Sequence, residues 1–177
     1  MPANRGRLSE VTGSLLVRRF SVRQPEMFRV IEAVTAKKLT SIDKAALCEL
    51  AQTVMDLEFD GVEGDFIEAG DDSAGAAMVI AQAKRRSRDF TVYDPAREPY
   101  EDIPGDGALA FAHLDCGKYE AMRVLLERTA PRLVSGGTLI VDDYTTKEGC
   151  KRAVDEYFHG KGGFKLVRKS RLHVIKS

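Results

Sequence analysis

The chain has 177 residues, of which 44% are hydrophobic, 31% charged and 7% aromatic, and its formal net charge is zero. This composition predicts one compact domain and excludes global disorder. The sequence contains no apolar run of about 18 residues, so we expect no membrane-spanning helix. No apolar stretch follows the basic N-terminus, Met1 to Arg7, so we expect no secretory signal. Its three cysteines lack metal-site spacing, which predicts reduced thiols and a cytoplasmic location.

The charges are unevenly distributed along the chain. Residues 56–120 contain sixteen acidic and six basic residues, whereas residues 1–44 and 145–177 are both basic. An acidic middle argues against a nucleic-acid partner there and is typical of a site for a cation or a cationic ligand. A solvated acidic surface is the alternative explanation.

The N-terminal part of the chain predicts helices. Residues 1–25 are basic and form either a flexible arm or a helix around Ser14 to Phe20, and residues 26–38 have helical spacing of apolar positions. A further helix is predicted over residues 41–57, with Thr40 or Ser41 as its cap. We therefore divide the chain into an N-terminal arm and helix, 1–38, and a main domain, 39–177.

From residue 61 onwards, short apolar strands alternate with helices. The predicted strands are residues 65–70, 89–94, 108–115, 138–143, 164–169 and 171–176, and the predicted helices are 73–86, 118–134 and 147–160. Ser135-Gly136-Gly137 is expected to end the second of these helices. This alternation predicts an α/β fold with a doubly wound, mainly parallel sheet covered on both faces.

Acidic residues end each of the first four predicted strands. In a doubly wound sheet, ligands bind at the carboxyl ends of the strands. Carboxylates gathered at one edge repel one another unless a cation or a ligand rich in hydrogen-bond donors lies among them. The five residues are Glu68, Asp94, Asp115, Asp142 and Asp143.

Asp115 and the pair Asp142-Asp143 follow strands that are expected to be neighbours. Oxygen-only ligands favour a hard cation such as Mg²⁺, which can lower the pKa of a substrate hydroxyl. Alternatively, one aspartate of the pair caps the next helix. His113 shares a strand face with Asp115 and is either a base or a hydrogen-bonded interior histidine.

The loop after the first strand contains small residues. Gly70 and Gly75 flank a strand-to-helix turn in which the backbone can approach a ligand closely, although a tight turn without a ligand explains them equally well. The sequence lacks the G-x-G-x-x-G fingerprint, and Asp71 and Asp72 would repel a pyrophosphate, which argues against NAD. Asp94 lies where such folds bind a ribose, or it caps a loop.

Six segments of the chain form a recognisable series: GDFIEAG, VYD, HLDCGKYE, LVSGGTLIVDDY, GCKRAVDEYF and SRLHVIKS. In this order they resemble the macrocin-type O-methyltransferases, a class I family dependent on S-adenosylmethionine (SAM). The similarity extends over roughly residues 39–177 and is most specific from Ala130 to Phe158.

The resemblance implies a Rossmann-like methyltransferase sheet that lacks one edge strand, with N-terminal helices. It implies SAM and Mg²⁺ as cofactors and a hydroxyl of a sugar or natural product as the acceptor. Glu68, Gly70 and Gly75 would then line the methionine end of SAM, and Asp94 would bind its ribose. Asp115, Asp142 and Asp143 would bind the metal, with His113 and Asp115 as catalytic residues.

The chain departs from the family pattern at three places. Ala74-Gly75 replaces the usual Gly-Gly at the helix start, and Gly117 replaces an aspartate that is a candidate general base in relatives. Only Pro95 to Gly107 joins two strands that relatives separate by a longer segment, which opens one side of the cofactor pocket. A second copy of the chain or a partner subunit would supply the missing wall.

Three functions are consistent with these features. The first is a reduced, Mg²⁺-assisted O-methyltransferase, which the retained carboxylates favour. The second is a non-catalytic methyltransferase-like scaffold in a biosynthetic pathway, which Gly117 and the short connection favour. The third is an enzyme that uses the carboxylates for metal-assisted chemistry without a methyl donor. We expect neither a nucleic-acid nor a membrane partner.

Overall fold

A six-stranded mixed sheet organises the protein. The computed structural model describes residues 5–70, 73–94, 103 and 106–177, with the backbone alone for residues 5–12 and 73. The strands are β1 (Asp65–Gly70), β2 (Phe90–Tyr93), β3 (Leu109–Asp115), β4 (Leu133–Val141), β5 (Phe164–Arg168) and β6 (Leu172–Lys176). Within the described residues the strand order is β2-β1-β3-β4-β6-β5, in which β1 to β4 are parallel and β6 is antiparallel to both of its neighbours. The predicted doubly wound α/β fold is confirmed.

Helices cover both faces of the sheet. The helices are α1 (Arg5–Arg23), α2 (Pro25–Ala36), α3 (Lys44–Phe59), α4 (Ser73–Ala83), α5 (Tyr119–Thr129) and α6 (Glu148–Phe158), with short 3₁₀ turns at Ala130–Arg132 and Asp143–Thr145. Phe66 of β1 packs in a core formed with α2, α3 and α4, whereas its neighbour Ile67 packs in a second core formed with α5 and α6. This alternation follows from the two-residue period of a strand.

The N-terminal helices belong to the same packed structure as the strands. Ile31 and Val34 of α2 are fully buried in the core that also contains Phe66. The division at residue 38 stays a prediction, although Lys38, which follows α2, has a positive φ of 53° that turns the chain. Among the described helices, none is long and apolar enough to cross a membrane.

Two local features differ from the sequence prediction. Asp43, rather than Thr40 or Ser41, caps α3, because its Oδ1 accepts a hydrogen bond of 2.9 Å from the amide of Ala46. The segment containing Gly136 does not merely end a helix. It lies inside β4, where a φ of 79° at that glycine accompanies a register shift against β3.

Candidate active site

Three aspartates meet at the carboxyl edge of the sheet. Asp115 ends β3, Asp142 follows β4, and Asp143 begins the next 3₁₀ turn. Each offers one carboxylate oxygen within 4.8 Å of the other two. Because β3 and β4 are parallel neighbours, the register that pairs Leu114 with Val141 forces these side chains together. The predicted cluster of carboxylates is therefore present.

Asp115 is the most perturbed carboxyl of this cluster. Burial, together with the nearby carboxylates of Asp142 and Asp143, raises its pKa to about 7, although His113 opposes the change. Asp142 behaves differently. Burial opposes its ionisation, but His113 and Arg171 keep the pKa of this carboxyl below its ordinary value. The cluster thus combines Asp142, whose ionised form is stabilised, with Asp115, whose pKa is close to 7.

His113 lies beneath the aspartates and is almost completely buried. Its Nδ1 lies 2.7 Å from Oε2 of Glu68, and its Nε2 lies 3.9 Å from Oδ1 of Asp142. Burial lowers the pKa of the imidazole, but the two carboxylates outweigh it and raise the value to about 10. Because both ring nitrogens face acidic groups, the geometry favours the hydrogen-bonded interior histidine over a base that contacts an acceptor.

Glu68 is fully buried on β1. Burial raises the pKa of its carboxyl, and His113 opposes the shift. Its second oxygen, Oε1, has no hydrogen-bond partner among the described residues. An unpaired buried oxygen is costly unless water or a ligand donates to it.

The two candidate cofactor glycines make close packing contacts. A Cβ at Gly70 would lie 2.6 Å from the carbonyl oxygen of Asp115, and a Cβ at Gly75 would lie 2.7 Å from Cβ of Thr40. The amide of Gly75 donates to the carbonyl of Leu39 at 3.0 Å. Close packing is therefore sufficient to explain glycine at both positions, and their role at a cofactor stays a prediction.

Asp94 follows β2 at the same edge of the sheet as the three aspartates. The register of β2 against β1 pairs Tyr93 with Ala69, which brings Asp94 close to the end of β1. Asp71, Asp72 and most of the segment 95–107 lie outside the described residues.

Gly117 lies beside the carboxylates. A Cβ at this position would be 3.2 Å from Oδ2 of Asp143 and 2.9 Å from Cγ of Lys147. The lysine stem therefore fills the space next to Gly117 in which, by the resemblance, relatives carry an aspartate.

Sequence reasoning did not identify Arg171 or Asp43 as site residues. Nε of Arg171 donates to Oδ1 of Asp142 at 2.5 Å, and its Nη2 donates to Oδ2 of Asp43 at 3.2 Å. The sequence did predict a very tight turn before β6. It could not show that β6 lies antiparallel beside β4 and so carries Arg171 to Asp142.

A groove adjoins this arrangement. It has a volume of about 830 Å³, within the size range of small-molecule sites. The groove runs between α1, the start of α3 and the turn that joins β5 to β6. Its lining includes Leu16, Val17, Asp43, Glu49, Ser170 and Arg171.

A known protein family matches the part of the chain that contains the carboxylate cluster. The family model for Macrocin-O-methyltransferase (TylF) matches residues 102–164, which include all three aspartates. The chain resembles the macrocin-type O-methyltransferases. This match confirms the resemblance predicted from the motifs. No curated protein matches the chain significantly.

Solved structures show the same fold. The chain is similar to the O-methyltransferase NovP, with 22% identity, a TM-score of 0.60 and coverage of 75% of this chain and 78% of NovP. It is also similar to a putative caffeoyl-CoA O-methyltransferase from Staphylococcus aureus, with 14% identity, a TM-score of 0.61 and coverage of 94% and 100%. TomG from Streptomyces achromogenes, in complex with SAM, has 11% identity, a TM-score of 0.55 and coverage of 85% and 89%. At identities of 11–22%, these neighbours show that the chain shares the fold of O-methyltransferases.

Proposed function

We propose that the protein is a SAM-dependent, Mg²⁺-assisted O-methyltransferase that acts on a hydroxyl of a sugar or natural-product intermediate. The observation that carries this proposal is the convergence of Asp115, Asp142 and Asp143 within the part of the chain that matches the family model. The SAM complex of TomG supports SAM as the cofactor.

The residues present fit a divalent cation. The donors are three carboxylate oxygens within 4.8 Å of one another, the ligand chemistry that Mg²⁺ prefers. The pKa of Asp115 is raised to about 7 by burial and by its acidic neighbours, which means that its ionised form is unfavourable. A cation at this position would stabilise the ionised carboxylate. Asp115, Asp142 and Asp143 would hold the ion.

Methyl transfer from a sulfonium depends chiefly on in-line positioning and on deprotonation of the acceptor. When bound, SAM supplies the methyl group and Mg²⁺ lowers the pKa of the acceptor hydroxyl. In this proposal Asp115 serves both as a ligand of the ion and as a catalytic residue, since the ion that it holds would lie beside the acceptor hydroxyl. His113 acts indirectly, through Asp142. Its Nε2 lies near that carboxylate and lowers the pKa of Asp142, so Asp142 stays ionised.

The SAM site belongs at the ends of β1 and β2 in this proposal. Glu68, Gly70 and Gly75 would lie at the methionine end, and Asp94 would bind the ribose. The unpartnered Oε1 of Glu68 supports this placement, since it accepts no hydrogen bond from any described residue. An acidic environment also suits the positive sulfonium and ammonium groups of SAM.

The acceptor belongs in the groove between α1 and the β5–β6 turn. Leu16 and Val17 give the groove an apolar side, while Ser170 and Arg171 give it a polar one. Arg171 also contacts Asp142, so this side chain connects the groove to the carboxylate cluster. In this proposal a second copy of the chain or a partner subunit would supply the wall of the cofactor pocket that the short connection between β2 and β3 leaves missing.

Calorimetric titration of S-adenosylhomocysteine into the protein, with and without Mg²⁺, tests the proposal. Micromolar binding, on the order of −8 kcal/mol, is the expected result. Asp115→Asn should remove the effect of Mg²⁺, whereas Asp60→Asn, an exposed carboxylate at the end of α3, serves as the matched control. A folded protein that binds neither ligand would contradict the proposal.

A non-catalytic scaffold is the second candidate. The observation in its favour is Lys147, whose stem fills the space beside Gly117. In this case no carboxylate remains at position 117 to act as a base. Such a scaffold would bind S-adenosylhomocysteine weakly or not at all and would methylate no acceptor.

A further inference from the structure

Arg171 is shared between the carboxylate cluster and the beginning of α3. Its Nε donates to Asp142 at 2.5 Å, and its Nη2 donates to Asp43 at 3.2 Å. The Asp142 side chain is 12% exposed, whereas that of Asp43 is 58% exposed. One guanidinium therefore bridges a nearly buried anion and a solvated one.

This bridge balances charge at the site. Asp115, Asp142 and Asp143 each have a carboxylate oxygen within 4.8 Å of the other two, and these negative groups repel one another. The guanidinium of Arg171 contacts Asp142 directly and so offsets part of this negative charge. A divalent cation bound to the same carboxylates would add two positive charges close to that guanidinium. Like charges at such short distances repel strongly at a partly buried site.

We infer that Arg171 and the divalent cation compete for Asp142, and that Asp43 is the alternative partner that keeps Arg171 bound when the cation is present. This inference rests on the proposed function. Arg171 is thus a positioning residue, which acts on the cation site through Asp142.

The geometry at Asp43 supports its role as the alternative partner. Its Oδ1 already caps α3 by accepting from the amide of Ala46, and its Oδ2 remains for Arg171. Since the planar guanidinium has several donors in a fixed fork, Arg171 can strengthen one contact as it weakens the other. A lysine has the charge but cannot span both carboxylates in this way.

The consequence is a connection between the cation site and the groove. Asp43 and Arg171 both line the groove of about 830 Å³. A change of partner by Arg171 would therefore alter one wall of the groove and the first turn of α3 together. Cation binding and acceptor binding would be coupled through these two side chains.

Titration with Mn²⁺ alone, followed by electron paramagnetic resonance of the free ion, tests the inference without any methyl transfer. Arg171→Gln should bind Mn²⁺ at least about threefold more tightly than the wild type, because a repelling charge is gone. Without the ion, Arg171→Gln should also have a lower melting temperature than the wild type. Saturating Mn²⁺ should reduce this difference in melting temperature. Arg171→Lys keeps the repelling charge but lacks the fork, so it should bind Mn²⁺ no more tightly than wild type. Arg123→Gln, which changes an exposed arginine of α5, should match wild type.

Asp43→Asn provides a second test that keeps a capping side chain on α3. Because the amide of this variant binds the guanidinium less strongly than a carboxylate does, Arg171 should stay on Asp142. The variant should therefore bind Mn²⁺ more weakly than the wild type does. If Arg171→Gln binds Mn²⁺ no more tightly than the wild type, or Asp43→Asn binds it equally well, the inference is overturned while the cation site stands. If the folded wild type binds no Mn²⁺, the cation role in the proposed function fails, and this inference fails with it.

Discussion

Glu68 and His113 form a buried pair across two parallel strands, with 2.7 Å between Oε2 and Nδ1. They are direct partners in the register of β1 and β3, and each is at most 1% exposed. Beyond His113 the contacts continue to Asp142 and then to Arg171. The site therefore rests on a chain of charged and polar groups that reaches into the core.

Replacing His113 by Phe should destabilise the protein strongly. Glu68 would lose the only hydrogen-bond partner that the described residues provide, and an unpaired buried carboxyl costs about 3–5 kcal/mol. Urea unfolding measures this change. The double variant His113→Phe/Glu68→Leu should recover much of the loss, and a single variant within about 1 kcal/mol of wild type would show that the pair contributes little.

Glu58 should make the fold sensitive to acid. Its carboxylate accepts from Nε and Nη2 of Arg88 at 2.6 and 2.9 Å and from the amide of Arg85 at 3.1 Å. Burial opposes ionisation, but these hydrogen bonds outweigh it and lower the pKa of Glu58. A lowered pKa means that the stabilisation is present above the unfolded-state pKa, about 4.3, and is lost as pH falls further.

Glu58→Gln should therefore be less stable than wild type by about 2 kcal/mol at pH 7. The difference should shrink at pH 3.5, because below a pH of about 4.3 the unfolded state takes up a proton at Glu58 more readily than the folded state does. Urea unfolding at both pH values checks this expectation. A difference that stays constant with pH would mean that packing, not charge, is responsible.

The sequence predicted the fold and the aspartate cluster for the same physical reason. Short apolar strands such as β1 and β3 predict a parallel sheet, and the acids that end such strands must lie at one edge. This reasoning brought Asp115, Asp142 and Asp143 together without any knowledge of side-chain positions.

Contacts between distant elements could not be predicted in this way. Arg171 reaches Asp43 across 128 positions of sequence, and only the antiparallel return of β6 beside β4 makes that contact possible. The strand character of the segment around Gly136 was missed, because glycine commonly marks a helix end, whereas here it allows a register shift.

Asp115→Asn should remove cation binding while leaving the fold intact. Burial raises the pKa of Asp115 to about 7, so an uncharged amide resembles the protonated carboxyl that the protein already tolerates. The melting temperature without ions should stay close to that of wild type, and the increase on adding Mg²⁺ should disappear. An equal Mg²⁺-induced increase in both proteins would exclude Asp115 as a ligand.

Gly70→Ala should disturb the same edge through packing. The added methyl would lie 2.6 Å from the carbonyl oxygen of Asp115 and 2.7 Å from its Cβ, so the ends of β1 and β3 must separate. Overpacking of this kind costs about 1–3 kcal/mol, measurable by urea unfolding. Gly162→Ala is the matched control, since a Cβ there meets no atom within 4 Å. Equal stability of the two variants would contradict the predicted clash.

Gly117→Asp should add a fourth carboxylate to the cluster. The new Cβ would lie 3.2 Å from Oδ2 of Asp143, and the flexible stem of Lys147 would have to move aside. The added charge should tighten Mn²⁺ binding and lower stability in the absence of the ion, because the carboxylates repel when no cation is bound. Gly117→Ala adds the methyl without the charge and should change stability only slightly. If the alanine variant loses as much stability as the aspartate variant, crowding against Lys147 is the cause and the position is closed to a carboxylate base.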